Sequence, residues 1–444
     1  MTQYKEQVMK KIVVVGGGFA GLNFVKELSK YDGFQITLVD RNNYHFFPPL
    51  LYQVASGFIE ASNISYPFRR LFQKKANLRF HMGSLLEVMP EKQYIKTSTG
   101  ALPYDILVIA SGTRTNYFGM ENVARGAWPM KTINDALNLR NHILMSMEKA
   151  VRAQTAEEKN QALNIVIAGG GPTGVEISGM LAELGRYIAA KEYPEIQNFQ
   201  GHIHLIDAGP SLLSTMSKKA QTEAQKVLSH LGVLIQTGVS VKDYQDGTVI
   251  LSNGEKIRSE VLIWTSGVVA NHIEGLPRIV TGRGKRIVTD AFNCVEGYKN
   301  IYAIGDISLQ HTDPAFPDGH PQLAQVAIQQ GKLLARNLRN IASGKNPTPF
   351  RYNDKGSMAI ISKFKAVADL RHFSMKGYFA WLIWLFIHII PLIGYRNKAK
   401  LAFNWFWSFI NNNPTLRLII RPGKISETPL TANEGHAQGP EVVH

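Results

Sequence analysis

Three glycines close to the amino terminus have the spacing of a phosphate-binding turn. Gly16, Gly18 and Gly21 follow the apolar run KIVVV and form the pattern GxGxxG. The first glycine permits a tight turn, the second lets backbone approach a pyrophosphate, and the third allows close packing of a helix on a strand. The N–H groups at the helix start also favour phosphate charge. We expect Phe19 and Ala20, inside this turn, to line the same site.

An acidic residue follows at the position of a ribose-binding carboxylate. The run QITLVD is typical of a second buried strand and ends in Asp40, which suits a ribose hydroxyl. Arg41 comes next, and we expect it at the same site. Strand, glycine triplet, helix, strand and acid in this order are much stronger evidence than a glycine triplet alone.

The same pattern recurs in the middle of the chain. Gly169, Gly171 and Gly174 follow the run NIVIA, and the later run HIHLID ends in Asp207. The interval before Asp207 exceeds the usual length of about twenty residues, because it includes GRYIAAKEYPEIQNFQG, which we interpret as a helix extension and a loop. An acid here favours a free ribose hydroxyl, and therefore NADH over NADPH. The other residues of this turn that should share the site are Pro172 and Thr173.

Two dinucleotide units in one chain predict two dinucleotides held face to face, and a flavin with a nicotinamide is the simplest pair. Two further runs, DILVIASGT and EVLIWTSG, end in small residues that let backbone pass close to a cofactor, and a third, NIYAIGDI, ends in Gly305 and Asp306 at a helix start. Asp306 suits a sugar-like chain and a phosphate, although a plain helix N-cap explains the same residue. The candidate contacts from these runs are Ala110, Ser111, Gly112, Ser266, Gly267 and Asp306.

The composition bounds where such a protein works. The 444 residues are 45% hydrophobic and 19% charged, which is typical of a folded chain of two or three domains. The net charge of +15 is not concentrated in an arm that would bind nucleic acid. The amino terminus lacks an apolar leader, so we expect a protein on the cytoplasmic side of the membrane. The scattered histidines predict no metal site.

The chain has a single cysteine, Cys294. One cysteine excludes a disulfide within the chain and a redox cysteine pair beside a flavin. We therefore expect Cys294 to be a small packed residue and not a nucleophile.

The stretch GYFAWLIWLFIHIIPLIGY, from Gly377 to Tyr395, is strongly apolar, and LAFNWFWSFI follows after a basic run at 396–400. A spanning helix needs about twenty residues, and Pro391 and Gly394 interrupt the first segment. Two short tryptophan-rich helices lying in the membrane interface fit best, while a dimer-interface core and a short spanning helix are alternatives. The basic residues around these segments are Lys363, Lys365, Arg371, Lys376, Arg396, Lys398, Lys400, Arg417, Arg421 and Lys424.

Three longer segments resemble the type II NADH dehydrogenases, which are non-pumping NADH:quinone oxidoreductases of the two-dinucleotide flavoprotein superfamily. They are NYHFFPPLLYQVASG at 43–57, PQLAQVAIQQG at 321–331 and SMAIISKFKAVADL at 357–370. The family often has Gln where Pro48 stands. The resemblance implies FAD in the first unit, NADH in the second, and a membrane quinone, either menaquinone or ubiquinone, as electron acceptor.

The resemblance also implies roles for individual residues. Glu176 would lie close to the flavin and nicotinamide rings, and Lys363 near the quinone. Gln325 and Gln329, which share one helix face at i and i+4, would lie near the flavin and the quinone head group. Solvated glutamines, a helix-dipole role for Glu176 and a membrane-surface role for Lys363 are the alternatives. The residues at the helix start beneath the flavin would be Gln322, Leu323 and Ala324.

These observations predict an α/β fold with two Rossmann-like domains and a C-terminal membrane-associated helical module. The FAD domain should comprise 1–120 and 290–345, and the NADH domain 160–280. The quinone and membrane module should comprise 346–424, and 425–444 should be a flexible tail.

Other functions fit the same motifs less well. A soluble reductase of ferredoxin or rubredoxin would need no apolar tail, and a slow NADH-binding redox sensor or scaffold would transfer few electrons onward. A homodimer joined through the tail helices is compatible with each of these functions.

Overall fold

The computed structural model describes residues 9–186, 190–196, 201–371, 373–411 and 418–420. It confirms the predicted α/β fold, with two parallel sheets and a C-terminal module that contains helices. The predicted tail at 425–444, three of the basic residues and part of the loop before Asp207 lie outside the described residues. Those three basic residues are Arg417, Arg421 and Lys424.

The elements are named here in chain order. The helices are α1 (Phe19–Leu28), α2 (Leu51–Ala55), α3 (Phe68–Phe72), α4 (Glu121–Gly126), α5 (Ile133–Arg152), α6 (Ala156–Leu163), α7 (Pro172–Leu184), α8 (Ala190–Glu192), α9 (Lys218–His230), α10 (Ala324–Ala342), α11 (Tyr378–Ile389) and α12 (Tyr395–Asn411). The strands are β1 (Lys10–Val15), β2 (Phe34–Asp40), β3 (Tyr44–Phe46), β4 (Ser65–Pro67), β5 (Leu78–Met82), β6 (Leu85–Met89), β7 (Tyr94–Thr97), β8 (Gly100–Pro103), β9 (Ile106–Ile109), β10 (Thr113–Thr115), β11 (Trp128–Pro129), β12 (Ile165–Ala168), β13 (Ile203–Asp207), β14 (Leu234–Thr237), β15 (Val241–Gln245), β16 (Thr248–Leu251), β17 (Lys256–Arg258), β18 (Val261–Trp264), β19 (Val268–Ala270), β20 (Ile287–Thr289), β21 (Ile301–Ala303), β22 (Ser308–Gln310), β23 (Ser357–Ser362), β24 (Lys365–Leu370) and β25 (Phe373–Gly377).

The first sheet has the strand order β21-β9-β1-β2-β5, and each neighbouring pair is parallel. Its central strand β1 is a buried β-branched run, as expected for a parallel sheet covered on both faces. Helix α10 packs so closely on α1 that a Cβ at Gly331 would lie 2.3 Å from the carbonyl oxygen of Ala20. The sheet thus combines the amino-terminal part of the chain with strand β21, which follows the second sheet in sequence.

The second sheet has the strand order β11-β18-β12-β13-β14 and is also parallel throughout. Its strands β12 and β18 are buried, and helix α7 begins directly after β12. An antiparallel ribbon of β10 and β19 connects the segments that follow the two sheets, because β10 comes after β9 and β19 comes after β18.

The C-terminal module consists of the antiparallel sheet β23-β24-β25 followed by α11 and α12. Trp381, Trp384 and Trp405 are buried in one apolar cluster that also includes residues of α2 and α7. Burial of an indole ring contributes about 1.5–3 kcal/mol or more, so these tryptophans attach both helices to the body of the protein.

The basic run at 396–400 forms the first turns of α12. Gly394, at φ +84°, provides the reversal of direction between the two helices. Lys398 Nζ then donates to the carbonyl oxygen of Ile390 at 2.8 Å, beside the end of α11. Across the described residues, no helix has both the length and the apolar character required to cross a bilayer.

Candidate active site

The first glycine turn contains two glycines required by packing and one that faces open space. A Cβ at Gly16 would lie 2.3 Å from the carbonyl oxygen of Ala110, and one at Gly21 would lie 1.9 Å from that of Gly16. A Cβ at Gly18 would meet no described atom within 4 Å. The open position is the second glycine of the motif, where a pyrophosphate approaches the backbone, so the turn fits a dinucleotide.

The carboxylate of Asp40 is fixed beside this turn by two backbone donors. The N–H of Gly17 donates to its Oδ2 at 2.7 Å, and the N–H of Asn42 donates to its Oδ1 at 2.7 Å. Burial is the largest effect on the pKa of Asp40 and raises it. Each oxygen keeps a lone pair for a ribose hydroxyl, whereas Arg41 is exposed at the rim.

Aromatic rings enclose the start of α1. The ring of Phe19 meets those of His45 and Phe47 edge-on, each at 5.6 Å between centroids. His45 Nδ1–H donates to the carbonyl oxygen of Gly17 at 2.9 Å, and burial lowers the pKa of His45 to about 4. The imidazole is therefore neutral at physiological pH, and the first turn is packed on its outer side.

The segment after β9 contributes the next predicted contacts. Gly112 has a φ of +65°, and the carbonyl oxygen of Ser111 accepts a hydrogen bond from Asn271 Nδ2 at 2.7 Å. The hydroxyl of Ser111 is buried and has no partner among the described residues. A buried hydroxyl without a partner is costly, which is consistent with a ligand group beside Ala110–Gly112.

Asp306 lies at the end of β21, against the same turn. A Cβ at Gly305 would lie 2.9 Å from the Cβ of Ala20, so this strand end touches the first turn of α1. The N–H of Gly305 donates to Gln330 Oε1 at 2.7 Å, and Gln322 Nε2 donates to the carbonyl oxygen of Asp306 at 2.9 Å. The start of α10 is thereby tied to the predicted FAD contacts.

Two cations face the carboxyl group of Asp306. Burial raises the pKa of Asp306, while Lys131 and Arg286 act in the opposite direction. Leu323 precedes α10 and is 37% exposed, and Ala324 is its first residue. The structure therefore brings the predicted FAD residues into one continuous region around α1.

The second glycine turn repeats the first. Gly169 has a φ of +113°, and a Cβ at Gly174 would lie 1.8 Å from the carbonyl oxygen of Gly169. A Cβ at Gly171 would meet no described atom within 4 Å. Pro172 and Thr173, the first residues of α7, are exposed, so this turn also leaves room for phosphate but is more open to solvent.

Asp207 holds the second turn as Asp40 holds the first. Its Oδ2 accepts a short hydrogen bond from the N–H of Gly170, and its Oδ1 accepts one from the N–H of Gly209 at 2.6 Å. Ser266 Oγ would lie 2.9 Å from a Cβ at Gly169, and Gly267 has a φ of +84°. The longer interval before Asp207 therefore leaves the acid in the equivalent position.

Glu176 lies on α7 with its carboxyl group buried. The backbone N–H of Ile360 in β23 donates to it, yet burial dominates and raises the pKa of Glu176 well above its ordinary value. Glu176 also raises the pKa of the buried Tyr52, so the two side chains are near one another. A hydrogen-bonded chain continues from Tyr52, because Gln53 Nε2 donates to its hydroxyl at 3.0 Å and Trp405 Nε1 donates to Gln53 Oε1 at 2.8 Å.

The two predicted glutamines of α10 have different partners. Gln329 is paired twice with the backbone of Asn353, as a donor at 3.0 Å and as an acceptor at 3.1 Å. Gln325 Nε2 donates to the carbonyl oxygen of Gly356 at 3.1 Å, but its buried Oε1 has no partner among the described residues. Gln325 is therefore the glutamine with an acceptor left for a ligand.

Lys363 lies in the tight hairpin between β23 and β24. Its backbone N–H donates to Glu183 Oε1 at 2.7 Å, and its Nζ is 4.9 Å from the ring centroid of Phe364. Burial lowers the pKa of Lys363, and the carboxylate of Glu183 opposes that shift. Glu183 is on α7 with Glu176, so the predicted lysine and glutamate lie along the same helix.

The single cysteine is a packed residue. Cys294 Sγ–H donates to the carbonyl oxygen of Tyr298 at 3.2 Å, and burial raises the pKa of Cys294 to about 11. A protonated, hydrogen-bonded thiol is a poor nucleophile.

Several polar residues of the site had no role assigned from the sequence. Lys131 follows β11, Gln330 adjoins the predicted glutamines, and Tyr52 and Gln53 lie in the segment at 43–57. The runs PQLAQVAIQQG and NYHFFPPLLYQVASG contain Gln330, Tyr52 and Gln53, but only the packing shows which side chains are turned inward. No run quoted from the sequence contains Lys131.

Comparison with known proteins agrees with this geometry. The sequence matches the family described as pyridine nucleotide-disulphide oxidoreductase over residues 10–331, and the NDH2 C-terminal domain over residues 355–412. The chain belongs to the pyridine nucleotide-disulphide oxidoreductase family, although it lacks the cysteine pair of the disulfide-reducing members.

Within this family, the chain belongs to the type II NADH:quinone oxidoreductases. It is 34% identical to the type II NADH:quinone oxidoreductase Ndh of Mycobacterium tuberculosis, over 90% of this chain and 88% of that protein. It is 33% identical to the NdhA protein of the same organism, over 97% and 93%. The structure of NDH2 from Plasmodium falciparum in complex with NADH is similar at a TM-score of 0.84 and 26% identity, covering 93% of this chain and 100% of that one. The resemblance seen in the sequence is confirmed.

Proposed function

We propose that this protein transfers a hydride from NADH to a bound FAD and then two electrons to a membrane quinone, without pumping protons. The observation that carries the proposal is the pair of complete dinucleotide turns in one member of this family, each with an open central glycine. The quinone would be menaquinone or ubiquinone.

The first turn would hold FAD. The N–H groups at the start of α1 would bind its pyrophosphate, and the carboxylate of Asp40 would accept a hydrogen bond from a ribose hydroxyl. Asp306 and the hydroxyl of Ser111 would bind further polar groups of the cofactor. When bound, FAD supplies the redox chemistry, since its ring can accept a hydride and later release two electrons.

The second turn would bind NADH reversibly. The start of α7 faces solvent and would offer N–H groups to the pyrophosphate, and Asp207 would accept a hydrogen bond from a ribose hydroxyl. A 2′-phosphate would meet the negative charge of Asp207, so NADH should be preferred to NADPH. Ser266 and Gly267 would lie beside the dinucleotide.

The residues between these sites would orient the rings and handle protons. Burial raises the pKa of the Glu176 carboxyl group well above its ordinary value, because it disfavours the charged form. Gln325 Oε1 would accept a hydrogen bond from a hydroxyl of the quinol product or from an N–H of the cofactor. Gln329 would fix the loop at 353–356, and Lys363 would place a positive charge beside the C-terminal sheet.

The C-terminal helices would dock on a lipid surface at the cytoplasmic face of the membrane. Large apolar side chains on α11 and α12 are exposed to solvent, and basic residues lie around them. Exposed apolar patches with a basic rim are typical of membrane-binding surfaces. A homodimer joined through these helices would cover part of the same surface. The exposed apolar residues include Phe379 and Phe386 on α11, Ile390 directly after it, and Tyr395, Phe403 and Phe406 on α12.

Stopped-flow absorbance of the holoprotein tests the reaction. We expect NADH to bleach the flavin absorbance band and a short-chain quinone to restore it, with no second electron-transfer protein in the mixture. Restoration by a ferredoxin and not by a quinone would contradict the proposal and support a soluble reductase.

The two glutamines separate the half-reactions. Gln325→Ala should slow reoxidation by quinone about tenfold and leave reduction by NADH within twofold, because it removes the unpaired acceptor. Gln329→Ala should instead lower the free energy of unfolding by about 1–2 kcal/mol, because it removes two bonds to the backbone of Asn353. Equal kinetic losses in both half-reactions for Gln325→Ala would remove it from the quinone site.

Membrane docking is tested with the exposed aromatic residues. Replacing Phe379, Phe386, Phe403 and Phe406 by serine should release the protein from liposomes in a flotation assay, while the flavin stays bound. Met145→Ser, at an exposed apolar residue of α5, is the matched control. Undiminished liposome binding by the fourfold variant would contradict the docking surface.

A further inference from the structure

An ammonium group from the second sheet reaches the first dinucleotide site. Lys131 follows β11, which pairs with β18 in the second sheet. Its Nζ donates to Thr113 Oγ1 at 2.7 Å. Thr113 is buried and comes directly after Ala110–Gly112, the segment that contacts the first glycine turn. Lys131 therefore crosses from the NADH side of the molecule to the FAD side.

The backbone at Lys131 is held in place. Asp135 Oδ2 accepts from the N–H of Lys131 at 3.0 Å and from the N–H of Thr132 at 2.7 Å. Thr132 Oγ1 in turn accepts from the N–H of Asp135, which completes a capping box at the start of α5. The lysine thus extends from a rigid helix start.

The charge near Lys131 is that of Asp306. Asp306 raises the pKa of Lys131 and Lys131 lowers the pKa of Asp306, so each group favours the charged form of the other. Burial has the larger effect on both pKa values and acts in the opposite direction. Arg286, the other cation near Asp306, already donates to backbone, to the carbonyl oxygen of Ser308 at 2.8 Å and to that of His320 at 3.0 Å. The role of Arg286 is therefore to hold the loop that leads to α10.

Lys131 has donors to spare. An ammonium group has three N–H donors, and Thr113 Oγ1 is the one hydrogen-bond acceptor of Nζ within the described part of the chain. Leaving donors of a desolvated cation unpaired is costly. The hydroxyl of Ser111, two residues before Thr113, is buried and has no hydrogen-bond partner among the described residues. The backbone of Ser111 lies directly against the first glycine turn, because a Cβ at Gly16 would be 3.0 Å from the Cα of Ser111.

We propose that Lys131 is a residue of the FAD site, and that its ammonium donates to an acceptor oxygen of the bound cofactor. This inference rests on the proposed function, since it requires FAD in the first turn. Reduction of the flavin by two electrons with uptake of one proton adds one negative charge. A cation beside the ring therefore binds the reduced form more tightly than the oxidised form and raises the reduction potential.

Lys131→Gln tests the proposal in the full-length holoprotein, and the readout is the midpoint potential of the bound flavin, measured by spectrophotometric dye equilibration. We expect the affinity for reduced over oxidised flavin to fall about tenfold, which lowers a two-electron potential by about 30 mV. Lys131→Arg, which keeps the charge, should restore most of this loss. Lys219→Gln, at an exposed lysine of α9, should leave the potential unchanged.

The dissociation constant of FAD identifies the acceptor oxygen. A tenfold weaker FAD affinity at unchanged potential in Lys131→Gln would assign the contact to a phosphate oxygen, because both redox states carry that charge. A lowered potential would assign it to the flavin ring. An unchanged potential together with an unchanged FAD affinity would overturn the proposal.

Two further measurements keep the test decisive. If Lys131→Gln does not fold, Thr113→Val offers a second test, because it removes the partner that orients Nζ and keeps the charge of Lys131. It should lower either the affinity for FAD or the affinity for reduced over oxidised flavin about threefold. No change in either property would then refute the role of Lys131. A wild-type protein that retains no flavin would contradict the proposed function itself, and not this residue alone.

Discussion

The two glycine turns have the same spacing and the same acid, but they differ in their surroundings. At the first turn, Phe19 and His45 cover the start of α1, and α10 packs on its far side. At the second, Pro172 and Thr173 begin α7 in solvent. The same motif can therefore serve two purposes. A covered turn can retain a resident cofactor, and an open turn can exchange a substrate.

The largest expected effect comes from placing a negative charge at the open glycine of each turn. Gly18→Glu should abolish FAD retention, and Gly171→Glu should leave the protein yellow while raising the dissociation constant of NADH about a thousandfold. Both glycines have ordinary φ values near −70°, so the change adds charge without backbone strain. Like charges held against each other cost several kcal/mol.

Flavin content after gel filtration and NADH titration of flavin absorbance measure the two outcomes. Gly18→Ala and Gly171→Ala are the uncharged controls. If Gly171→Glu lost its flavin as readily as Gly18→Glu, the two turns would not be functionally separate.

Acid should open the first turn before the second. Burial lowers the pKa of His45 from 6.5 to about 4, so the folded state holds a neutral imidazole. The neutral, buried His45 contributes about 3 kcal/mol to the free energy of unfolding above pH 6.5, and this contribution is lost as the pH falls from 6.5 to 4. We expect FAD to be released in this pH interval, and the increase in flavin fluorescence measures the release.

His45→Gln keeps a donor for the carbonyl oxygen of Gly17 and removes the titration. The midpoint of FAD release should then move to lower pH. A release profile identical to that of the wild type would show that protonation of His45 does not open the turn.

The nucleotide preference of the second turn depends on the charge of Asp207. Asp207→Asn removes the charge and keeps an acceptor for one of the two backbone N–H groups, those of Gly170 and Gly209. It should reduce the preference for NADH over NADPH about tenfold, which corresponds to about 1.4 kcal/mol. The ratio of kcat/KM for the two dinucleotides measures this. Asp40→Asn in the first turn is the matched control and should leave the ratio unchanged.

The smallest effect concerns Glu176, which lies on the helix of the second turn. Its pKa is raised above 4.5 in the folded state, so the stability of the wild type falls as pH rises from 4.5 through the folded pKa. Glu176→Gln should match the wild type near pH 4 and exceed it by about 1 kcal/mol at pH 8. Thermal unfolding at the two pH values measures the difference, and no gain at pH 8 would show that the carboxyl group is not desolvated.

Patterns within short stretches of the chain were enough to predict the parts of this protein that depend on local order. The strands β1, β2, β12 and β13 and both glycine turns follow from short apolar runs and fixed glycine spacing, because the geometry of a strand–turn–helix unit is set within about thirty residues. The separation of Gln325 and Gln329 by one helical turn was equally local. The two C-terminal apolar segments predicted two short helices, and the structure has α11 and α12 there, with the basic run at 396–400 included in α12.

Which polar groups are buried together depends on the folded packing and could not be predicted from the chain order. Lys131 is eighteen residues from Thr113, and Gln53 is 352 residues from Trp405, yet each pair shares a hydrogen bond. Gln329 and Gln325 look equivalent in the sequence, and only the backbone of the loop at 353–356 distinguishes them. Desolvation and hydrogen bonding depend on neighbours that are distant along the chain, so the charge state of Glu176 and the reach of Lys131 follow from the folded packing alone.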